Sequence, residues 1–236
     1  MSIFEKLSSD FRRNYPRISR YILSIFGNSS NDFLKTARGV IHIGANSGQE
    51  RKLYAEYDLN VVWIEPIPDI FHQLSINIKP YPKQIALNYL LSDKNDQMVT
   101  LHIASNDGAS SSILDLHDHK ELWPDVKYVD HIDLKTKTLT SAITSNDLKP
   151  ENFDSIVIDT QGSELLVLQG AEDILKNISF IKTEAADFEA YKGCAREVDI
   201  VAFLESRNFR LVRRERIASR SGVGGYYDLL FKRNPA

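Results

Sequence analysis

The fold is decided by one stretch of the chain, Val40-Ile41-His42-Ile43-Gly44-Ala45-Asn46-Ser47-Gly48. Its first half is rich in β-branched residues and predicts a short buried strand. The two glycines let the backbone approach a ligand closely, and the helix predicted at 49–57 offers free N–H groups at its start. The stretch therefore predicts a strand, a ligand-binding turn and a helix in succession.

The next predicted strand, 60–65, ends in an acid, Glu65, and is stopped by Pro66. An acid at the end of the second strand accepts hydrogen bonds from a ribose diol in Rossmann-type sites. The separation of Gly44 and Glu65 is about the 20 residues that such sites show. These residues predict a cofactor that carries a ribose.

The glycine turn also excludes several cofactors. It lacks the Gly-x-Gly-x-x-Gly pattern of dinucleotide sites, so binding of a diphosphate is disfavoured. No lysine follows at the Walker A position, which excludes a P-loop, and no Tyr-x-x-x-Lys pair is present for a short-chain dehydrogenase. S-adenosylmethionine fits better, because it carries a ribose and a carboxylate but no phosphate.

Strands and helices alternate along most of the remaining chain, which indicates βαβ units and an α/β fold with a mostly parallel sheet. Further strands are predicted at 85–91, 98–104, 154–159 and 178–184, and further helices at 71–78, 163–175 and 196–206. Two last strands, 209–214 and 226–231, are predicted to finish the sheet as a hairpin. Residues 1–35 are predicted to form an N-terminal helical extension. Residues 36–236 are predicted to form one domain, with a substrate-side insertion at about 95–150.

Composition and charge describe an ordinary soluble protein. The chain has 236 residues, of which 42% are hydrophobic and 26% are charged, and no apolar run reaches the roughly 18 residues of a membrane-spanning helix. The formal net charge of −3 gives no reason to expect a nucleic-acid partner. The single cysteine, Cys194, excludes an intrachain disulfide and fits a reducing compartment, so a cytoplasmic location is expected.

The first 27 residues have an unusual charge pattern. They carry five Lys or Arg side chains against Glu5 and Asp10, with apolar residues at near-helical spacing. They lack the long apolar core of a signal peptide. Helices that pack on the domain or on a partner subunit are the simpler interpretation, which leaves a homo-oligomer open. Weak contact of a basic amphipathic helix with a membrane surface is the alternative.

Several short motifs together resemble one known family. They occur in this order along the chain: Ile41-His42-Ile43-Gly44-Ala45-Asn46-Ser47-Gly48-Gln49-Glu50, Trp63-Ile64-Glu65-Pro66, Leu91-Ser92-Asp93, Ser110-Ser111-Ser112-Ile113-Leu114, Ile158-Asp159-Thr160-Gln161-Gly162-Ser163-Glu164-Leu165 and Val167-Leu168-Gln169-Gly170-Ala171. This set resembles the FkbM-type family of S-adenosylmethionine-dependent O-methyltransferases, over most of the chain that follows the N-terminal segment. The resemblance implies the Rossmann-like class I methyltransferase fold. That fold is a seven-stranded, mostly parallel sheet with an antiparallel last strand and helices on both faces.

The resemblance also implies roles for residues around the cofactor. Glu65 would hold the ribose hydroxyls, Ser92 and Asp93 would reach the adenine, and Asp159 would lie beside the reactive methyl group. Many members carry an acid where this chain has His42, so His42 is expected to be a hydrogen-bonded strand residue and not a catalyst. The full set of implied cofactor residues is Gly44, Ala45, Asn46, Ser47, Gly48, Glu65, Pro66, Ser92, Asp93 and Asp159.

Methyl transfer to a hydroxyl needs a group that removes the hydroxyl proton. Asp159 and Glu184 end neighbouring predicted strands, so they can face one pocket, and Gln161 and Glu164 follow Asp159 on the loop. These four are the candidate catalytic residues, although Glu164 also suits a helix start and Asp159 a purely positioning role. A divalent metal is an alternative that is not expected, because the histidines of the insertion match no recognised ligand spacing.

The acceptor is expected to be polar. The candidate substrate-binding residues are Asn106, Ser111, Ser112, His119 and Tyr191. The resemblance implies a hydroxyl acceptor, and the Ser, Asp and His content of the insertion favours a polar one, so a sugar, a glycan or a glycosylated natural-product precursor is expected. The alternatives are a polyketide or other small molecule as acceptor, and a non-catalytic S-adenosylmethionine-binding or scaffold protein. A nucleic-acid methyltransferase is disfavoured, since no base-flipping Asn-Pro-Pro-Tyr-like motif is present.

Overall fold

A computed structural model describes residues 31–235 of the chain. The predicted helices of the first 27 residues lie outside this range, as does most of the predicted extension 1–35. The described chain begins with a short 3-10 turn, Asp32–Lys35, whose Phe33 and Leu34 are buried. No helix within residues 31–235 is long and apolar enough to cross a membrane.

The main sheet has the predicted class I topology. The strands are β1 (Gly39–Ile43), β2 (Asn60–Ile64), β3 (Gln84–Leu87), β4 (Leu90–Leu91), β5 (Met98–Ala104), β6 (Tyr128–Lys137), β7 (Ser155–Ile158), β8 (Phe180–Ala186), β9 (Phe209–Arg220) and β10 (Gly224–Arg233). Seven of them form one sheet in the order β3-β2-β1-β7-β8-β10-β9. The first five pair in parallel, and β10 pairs antiparallel with both β8 and β9. The last strand therefore runs against the others, which confirms the predicted fold.

Helices cover both faces of this sheet. They are α1 (Arg51–Glu56), α2 (Pro68–Ile78), α3 (His119–Leu122), α4 (Leu139–Thr144), α5 (Glu164–Gln169), α6 (Glu172–Leu175) and α7 (Glu197–Glu205). Because side chains alternate along a strand, Ile41 and Ile43 point to one face of the sheet and Val40 points to the other. Ile41 and Ile43 share a buried cluster with residues of α4 to α7, whereas Val40 packs with residues of α1 and α2.

The insertion contains a second, smaller sheet in the order β4-β6-β5. β4 pairs in parallel with β6, and β6 pairs antiparallel with β5. The strand predicted at 98–104 is confirmed as β5. Sequence patterns do not predict β6, because many of its side chains are polar and exposed.

The single strand predicted at 85–91 is wrong, because the chain changes sheets within it. β3 stays in the main sheet, whereas β4 joins the second one. Asn88 lies between them, and its side-chain amide donates hydrogen bonds to the carbonyls of Glu65 (2.8 Å) and Pro66 (3.0 Å). These bonds fix the turn at the end of β2, so the second sheet begins beside the predicted cofactor site.

The single helix predicted at 163–175 is also wrong, since α5 and α6 are separate helices. The break lies at Gly170, where an added Cβ would be 2.2 Å from the carbonyl oxygen of Ser92. The Gly170 carbonyl accepts a hydrogen bond from the N–H of Thr140 (3.2 Å). The backbone at this point therefore packs against neighbouring segments and does not continue the helix.

Candidate active site

The glycine turn after β1 lies against the end of β7. Gly44 has a φ of +73°, and an added Cβ would lie 1.9 Å from the carbonyl oxygen of Asp159. Only glycine avoids this contact, so the turn and the loop after β7 touch through backbone alone. Asn46 also has a positive φ of 47°, which an asparagine tolerates. The turn therefore brings the predicted cofactor site next to the predicted catalytic loop.

Glu65 joins the ends of β1 and β2. Its side chain is 5% exposed, and its Oε2 accepts a hydrogen bond from the N–H of Asn46 (2.8 Å). Its Oε1 accepts a hydrogen bond from the N–H of Ile67 (3.0 Å). Two backbone donors thus fix the carboxylate, and Glu65 lines a cleft.

This cleft has a volume of about 530 Å³, including its open mouth, and lies between the two sheets. The predicted residues that line it are Gly44, Asn46, Glu65, Pro66, Ser111, Asp159 and Gln161. Its apolar wall was not predicted: it is formed by Ile43, Ile64, Ile67, Leu90, Leu91, Leu101 and Ile113. Leu90, Leu91 and Leu101 of this wall come from the second sheet, of which the sequence predicted β5. An apolar wall beside a fixed carboxylate suits a ligand with a flat ring and a ribose.

Other predicted cofactor residues lie near the cleft without lining it. Ala45, Ser47 and Gly48 belong to the same turn as Gly44. Ser92 is buried behind the cleft, where its N–H donates to the carbonyl of Lys137 (3.0 Å) and its hydroxyl donates to Asp93 (3.1 Å). The cleft is lined by Leu90 and Leu91, the two residues that precede the predicted pair, and not by Ser92 and Asp93 themselves.

The serine-rich loop closes over the glycine turn. The carbonyl of Asp107 accepts a hydrogen bond from the side-chain amide of Asn46 (3.1 Å). Within the loop, Asn106 accepts from the N–H of Ser110 (3.1 Å), and the Ser111 hydroxyl accepts from the N–H of Ala104 (3.0 Å). Asn106 holds the loop together, and Ser111 lines the cleft. The loop is thus a fixed part of the cleft wall beside the glycine turn.

Gln161 joins the two acids that were predicted to share a pocket. It has a positive φ of 56°. Its side-chain amide donates hydrogen bonds to Asp159 Oδ1 (2.5 Å) and to Glu184 Oε2 (3.4 Å). The structure therefore brings Asp159, Gln161 and Glu184 together at the carboxyl ends of β7 and β8.

Two further side chains hold Gln161 in place. The Tyr191 hydroxyl donates to Gln161 Oε1 (2.7 Å), and the Ser112 hydroxyl donates to its backbone carbonyl (2.7 Å). Burial raises the pKa of Tyr191 well above its ordinary value, so the hydroxyl stays a donor. Tyr191 and Ser112 are both buried and do not line the cleft, so they support Gln161 from outside it.

Glu164 holds the loop that carries Gln161. Its carboxylate accepts hydrogen bonds from the N–H groups of Thr160 (3.0 Å) and Gly162 (3.0 Å) at the start of α5. Burial, together with the charge of Asp159, raises the pKa of Glu164 to about 7. The hydrogen bonds tie the side chain to the loop backbone, and the residue does not line the cleft.

The two histidines singled out in the sequence have structural surroundings. His42 Nδ1 is 3.0 Å from the Tyr54 hydroxyl, and its ring stacks on Trp63 with 4.9 Å between centroids. His119 is 2% exposed and lies 4.7 Å from the ring of Trp123 and 5.2 Å from that of Tyr191. Burial lowers the pKa of His119 to about 4, so its ring is neutral. Within residues 31–235, no three His, Cys, Asp or Glu side chains are grouped to hold a metal ion.

A sequence model of the FkbM methyltransferase domain matches residues 42–211. The chain belongs to this family. The match includes the glycine turn, Glu65 and the loop at 159–164, and it confirms the resemblance found in the sequence. Membership assigns the chain to the S-adenosylmethionine-dependent methyltransferases. No curated protein sequence matches the chain.

Solved methyltransferase structures resemble the chain at low identity. The 1,6-didemethyltoxoflavin-N1-methyltransferase of Burkholderia thailandensis, with S-adenosylhomocysteine bound, is 10% identical with a TM-score of 0.45, over 100% of this chain and 92% of that one. The magnesium protoporphyrin IX methyltransferase of Synechocystis, also with S-adenosylhomocysteine, is 8% identical with a TM-score of 0.48, over 99% and 88%. An N-methyltransferase of Bradyrhizobium japonicum is 11% identical with a TM-score of 0.45, over 84% and 87%. The class of the chain rests on the family match and not on these structures.

Proposed function

We propose that the protein transfers a methyl group from S-adenosylmethionine to a hydroxyl of a sugar, a glycan or a glycosylated natural-product precursor. The observation that carries this proposal is the Gln161 amide, which joins the carboxylates of Asp159 and Glu184 beside the glycine turn. A fixed carboxylate next to a cofactor site is the group that a hydroxyl acceptor needs for loss of its proton.

The residues of the cofactor side fit S-adenosylmethionine. The turn from Gly44 to Gly48 would hold its methionine end, because Gly44 and Asn46 line the cleft beside Asp159. Glu65 and the adjacent Pro66 would hold the ribose, and the apolar wall would take the adenine. We assign the contact with the adenine edge to Leu90 and Leu91, with the pair at 92 and 93 supporting them. When bound, S-adenosylmethionine supplies an electrophilic methyl group on a sulfonium.

We assign different roles to the two joined acids. Asp159 follows the strand that the glycine turn touches, so it lies on the side of the reactive methyl group. Glu184 lies one strand further from the turn, on the side where an acceptor would enter. We assign Glu184 as the base that takes the hydroxyl proton. We assign Asp159 as a carboxylate that orients the reacting groups. Gln161 keeps both carboxylates in place through its two N–H donors.

The remaining predicted site residues act in this proposal by positioning. Glu164 fixes the loop of Gln161 through backbone N–H groups, and Tyr191 and Ser112 fix Gln161 itself. Ser111, which lines the cleft, is the predicted acceptor-side residue best placed for ligand contact. His119 and Asn106 lie outside the cleft lining, so we assign them to the support of the insertion. No residue in this proposal requires a metal.

The proposal is tested by identifying the atom that is methylated. Purified protein is incubated with S-adenosylmethionine carrying a ¹³C methyl group and with pools of sugars, glycan precursors and glycosylated small molecules. Carbon-13 NMR of the products then distinguishes a methyl group on oxygen from one on nitrogen or carbon. We expect O-methylation that the Glu184→Gln variant lacks. Methylation of nitrogen or carbon, or of acceptors without hydroxyls, would contradict the proposal.

A further inference from the structure

A group of packed rings lies beside Glu184, at the carboxyl end of β8. In the register of β8 and β10, Tyr226 pairs with Ala186, which follows Glu184 by two residues and so lies on the same face of the sheet. Burial, together with the charge of Glu184, raises the pKa of Tyr226 well above its ordinary value. We call the five rings that pack here the aromatic cluster: His119, Trp123, Phe188, Tyr191 and Tyr226.

Contacts between these rings extend from β10 to the loop after β8. The Tyr226 ring makes edge-to-face contacts with Trp123, at 5.1 Å between centroids, and with Phe188, at 5.6 Å. The His119 ring contacts both Trp123 (4.7 Å) and Tyr191 (5.2 Å). Tyr191 is the side chain whose hydroxyl supports the amide between the two acids. The aromatic cluster therefore borders the proposed catalytic residues without being part of them.

His119 carries a polar atom that the described chain leaves without a partner. The side chain is 2% exposed, and its Nδ1 makes no hydrogen bond to any of residues 31–235. It is the one fully buried side-chain nitrogen or oxygen in that range for which this holds. Native proteins pair nearly all such atoms, because an unpaired one lowers stability. Support of the insertion explains the packing of the ring but not the unpaired nitrogen.

The backbone holds His119 firmly in this position. The N–H groups of His117 and His119 both donate to the carbonyl of Ala190, at 3.0 Å each. The following helix, α3, is joined to the hairpin of β9 and β10 by an ion pair between Arg220 and Glu121 (2.8 Å). The unpaired nitrogen thus belongs to a segment that is fixed on two sides.

The aromatic cluster reaches the surface at Trp123. This side chain is half-buried, and the next two residues, Pro124 and Asp125, are exposed. Half-buried Leu122 of α3 and Val223 of the hairpin also pack against the cluster. An aromatic wall with a few polar groups is the usual lining of a small-molecule site. A pyranose suits this lining, since its C–H faces pack on aromatic rings and its hydroxyls bond to polar atoms.

We propose that the aromatic cluster binds a pyranose ring of the methyl acceptor, with Trp123 packed on one face of the ring and His119 Nδ1 hydrogen-bonded to one of its hydroxyls. The ring enters by displacing the half-buried Trp123 side chain. Because Tyr226 borders Glu184, another hydroxyl of the bound acceptor can reach the proposed base. The inference rests on the proposed function for its acceptor and its base, whereas sugar binding itself does not require methyl transfer.

The experiment measures the binding of sugars to the full-length chain by tryptophan fluorescence. The probes are the methyl pyranosides of glucose, galactose, mannose and rhamnose, with sorbitol as a polyol that has no ring. Trp63 is fully buried, so a spectral shift reports on Trp123. We expect at least one methyl pyranoside to shift the spectrum and sorbitol to leave it unchanged. Failure of all four pyranosides, or an equal response to sorbitol, would overturn the proposal.

His119→Phe tests the unpaired nitrogen. It keeps a ring in the aromatic cluster but removes the polar atom, so the affinity for the bound pyranoside should fall roughly three- to tenfold, the effect of one hydrogen bond. His119→Asn keeps a polar atom near the position of Nδ1 and should restore part of this affinity. If His119→Phe does not fold, Trp123→Leu replaces it, with binding measured by calorimetry. Affinity equal to that of the parent chain in the variant used would contradict the inference.

The matched control is His102→Phe, at a half-buried histidine whose ring stacks on Tyr128 at 4.8 Å. It should bind the pyranosides as the parent chain does, and thermal melts check that every variant is folded. Pyranoside binding that needs His119, without methyl transfer to oxygen, would support the sugar site and contradict only the proposed reaction. Equal O-methylation of a sugar by His119→Phe and the parent chain would overturn the sugar site and leave the proposed function in place.

Discussion

The proposed cofactor side and the proposed acceptor side of the site are held together in different ways. On the cofactor side, the Glu65 carboxylate binds two backbone N–H groups, and Gly44 touches the next loop through backbone alone. On the acceptor side, side chains hold side chains, as in the bonds from Tyr191 to Gln161 and from Gln161 to Asp159. A site fixed by backbone depends on few side chains, whereas a side-chain network passes each substitution on to its neighbours.

The largest effect is expected at the proposed base on the acceptor side. Glu184→Gln keeps the size of the side chain but cannot take a proton, so turnover should fall by about 10²- to 10⁴-fold. The affinity for S-adenosylmethionine should not change, because Glu184 does not line the cofactor cleft. Initial-rate kinetics and calorimetry measure the two quantities. Turnover equal to that of a Glu205→Gln control would remove Glu184 from the mechanism.

The backbone contact of the cofactor side is tested by two glycines with the same φ of +73°. Gly44→Ala places a Cβ against the Asp159 carbonyl, whereas the space around a Cβ at Gly193 is empty within 4 Å. Gly193→Ala should lower the free energy of unfolding by about 1 kcal/mol, the cost of the left-handed conformation. Gly44→Ala should lower it by about 3 kcal/mol or more. Equal losses in urea titrations would show that the contact is unimportant.

The loop between the two sides should respond to pH through Glu164, whose pKa burial raises to about 7 from an ordinary value of 4.5. The folded chain binds this proton more tightly, so the stabilisation is complete below pH 4.5 and is lost as the pH rises through 7. Glu164→Gln cannot titrate. Between pH 4.5 and pH 7 the wild type should therefore lose up to about 3 kcal/mol of unfolding free energy relative to the variant. Parallel pH profiles in urea titrations would show that Glu164 is not protonated in the folded chain.

A smaller and more selective effect is expected at Glu65. Glu65→Gln weakens the bonds to two N–H groups and to a ribose, and a hydrogen bond to a charged group contributes about 1.5–3 kcal/mol. The affinity for S-adenosylmethionine should fall by about 10- to 100-fold, measured by calorimetry. Glu56→Gln, at an exposed position of α1, is the control and should bind normally. Unchanged affinity in Glu65→Gln would place the ribose elsewhere.

The smallest effect compares two buried tyrosine hydroxyls. Tyr191→Phe removes the bond to Gln161, and Tyr54→Phe removes a similar bond to His42 (3.0 Å) on β1. Both should lose about 1 kcal/mol of stability. Only Tyr191→Phe should lower turnover, by about fivefold, since a loss of 1 kcal/mol in positioning has that effect. Equal turnover in both variants would mean that Gln161 needs no support.

The same contrast explains how far the sequence could predict the molecule. The cofactor side was predictable, because Asn46 and Glu65 lie 19 residues apart on consecutive βα units with a recognised pattern. The support of Gln161 was not, since Ser112 and Tyr191 are 49 and 30 residues away, and no local pattern records such contacts. The break at Gly170 was missed for the same reason, as it depends on the carbonyl of Ser92.

The most direct test of the central claim, that the cofactor side binds S-adenosylmethionine, is calorimetric titration of the full-length chain with this cofactor and, separately, with NAD. The account predicts micromolar binding of S-adenosylmethionine and no binding of NAD. A folded sample free of carried-over cofactor that binds neither, or that binds NAD instead, would contradict it.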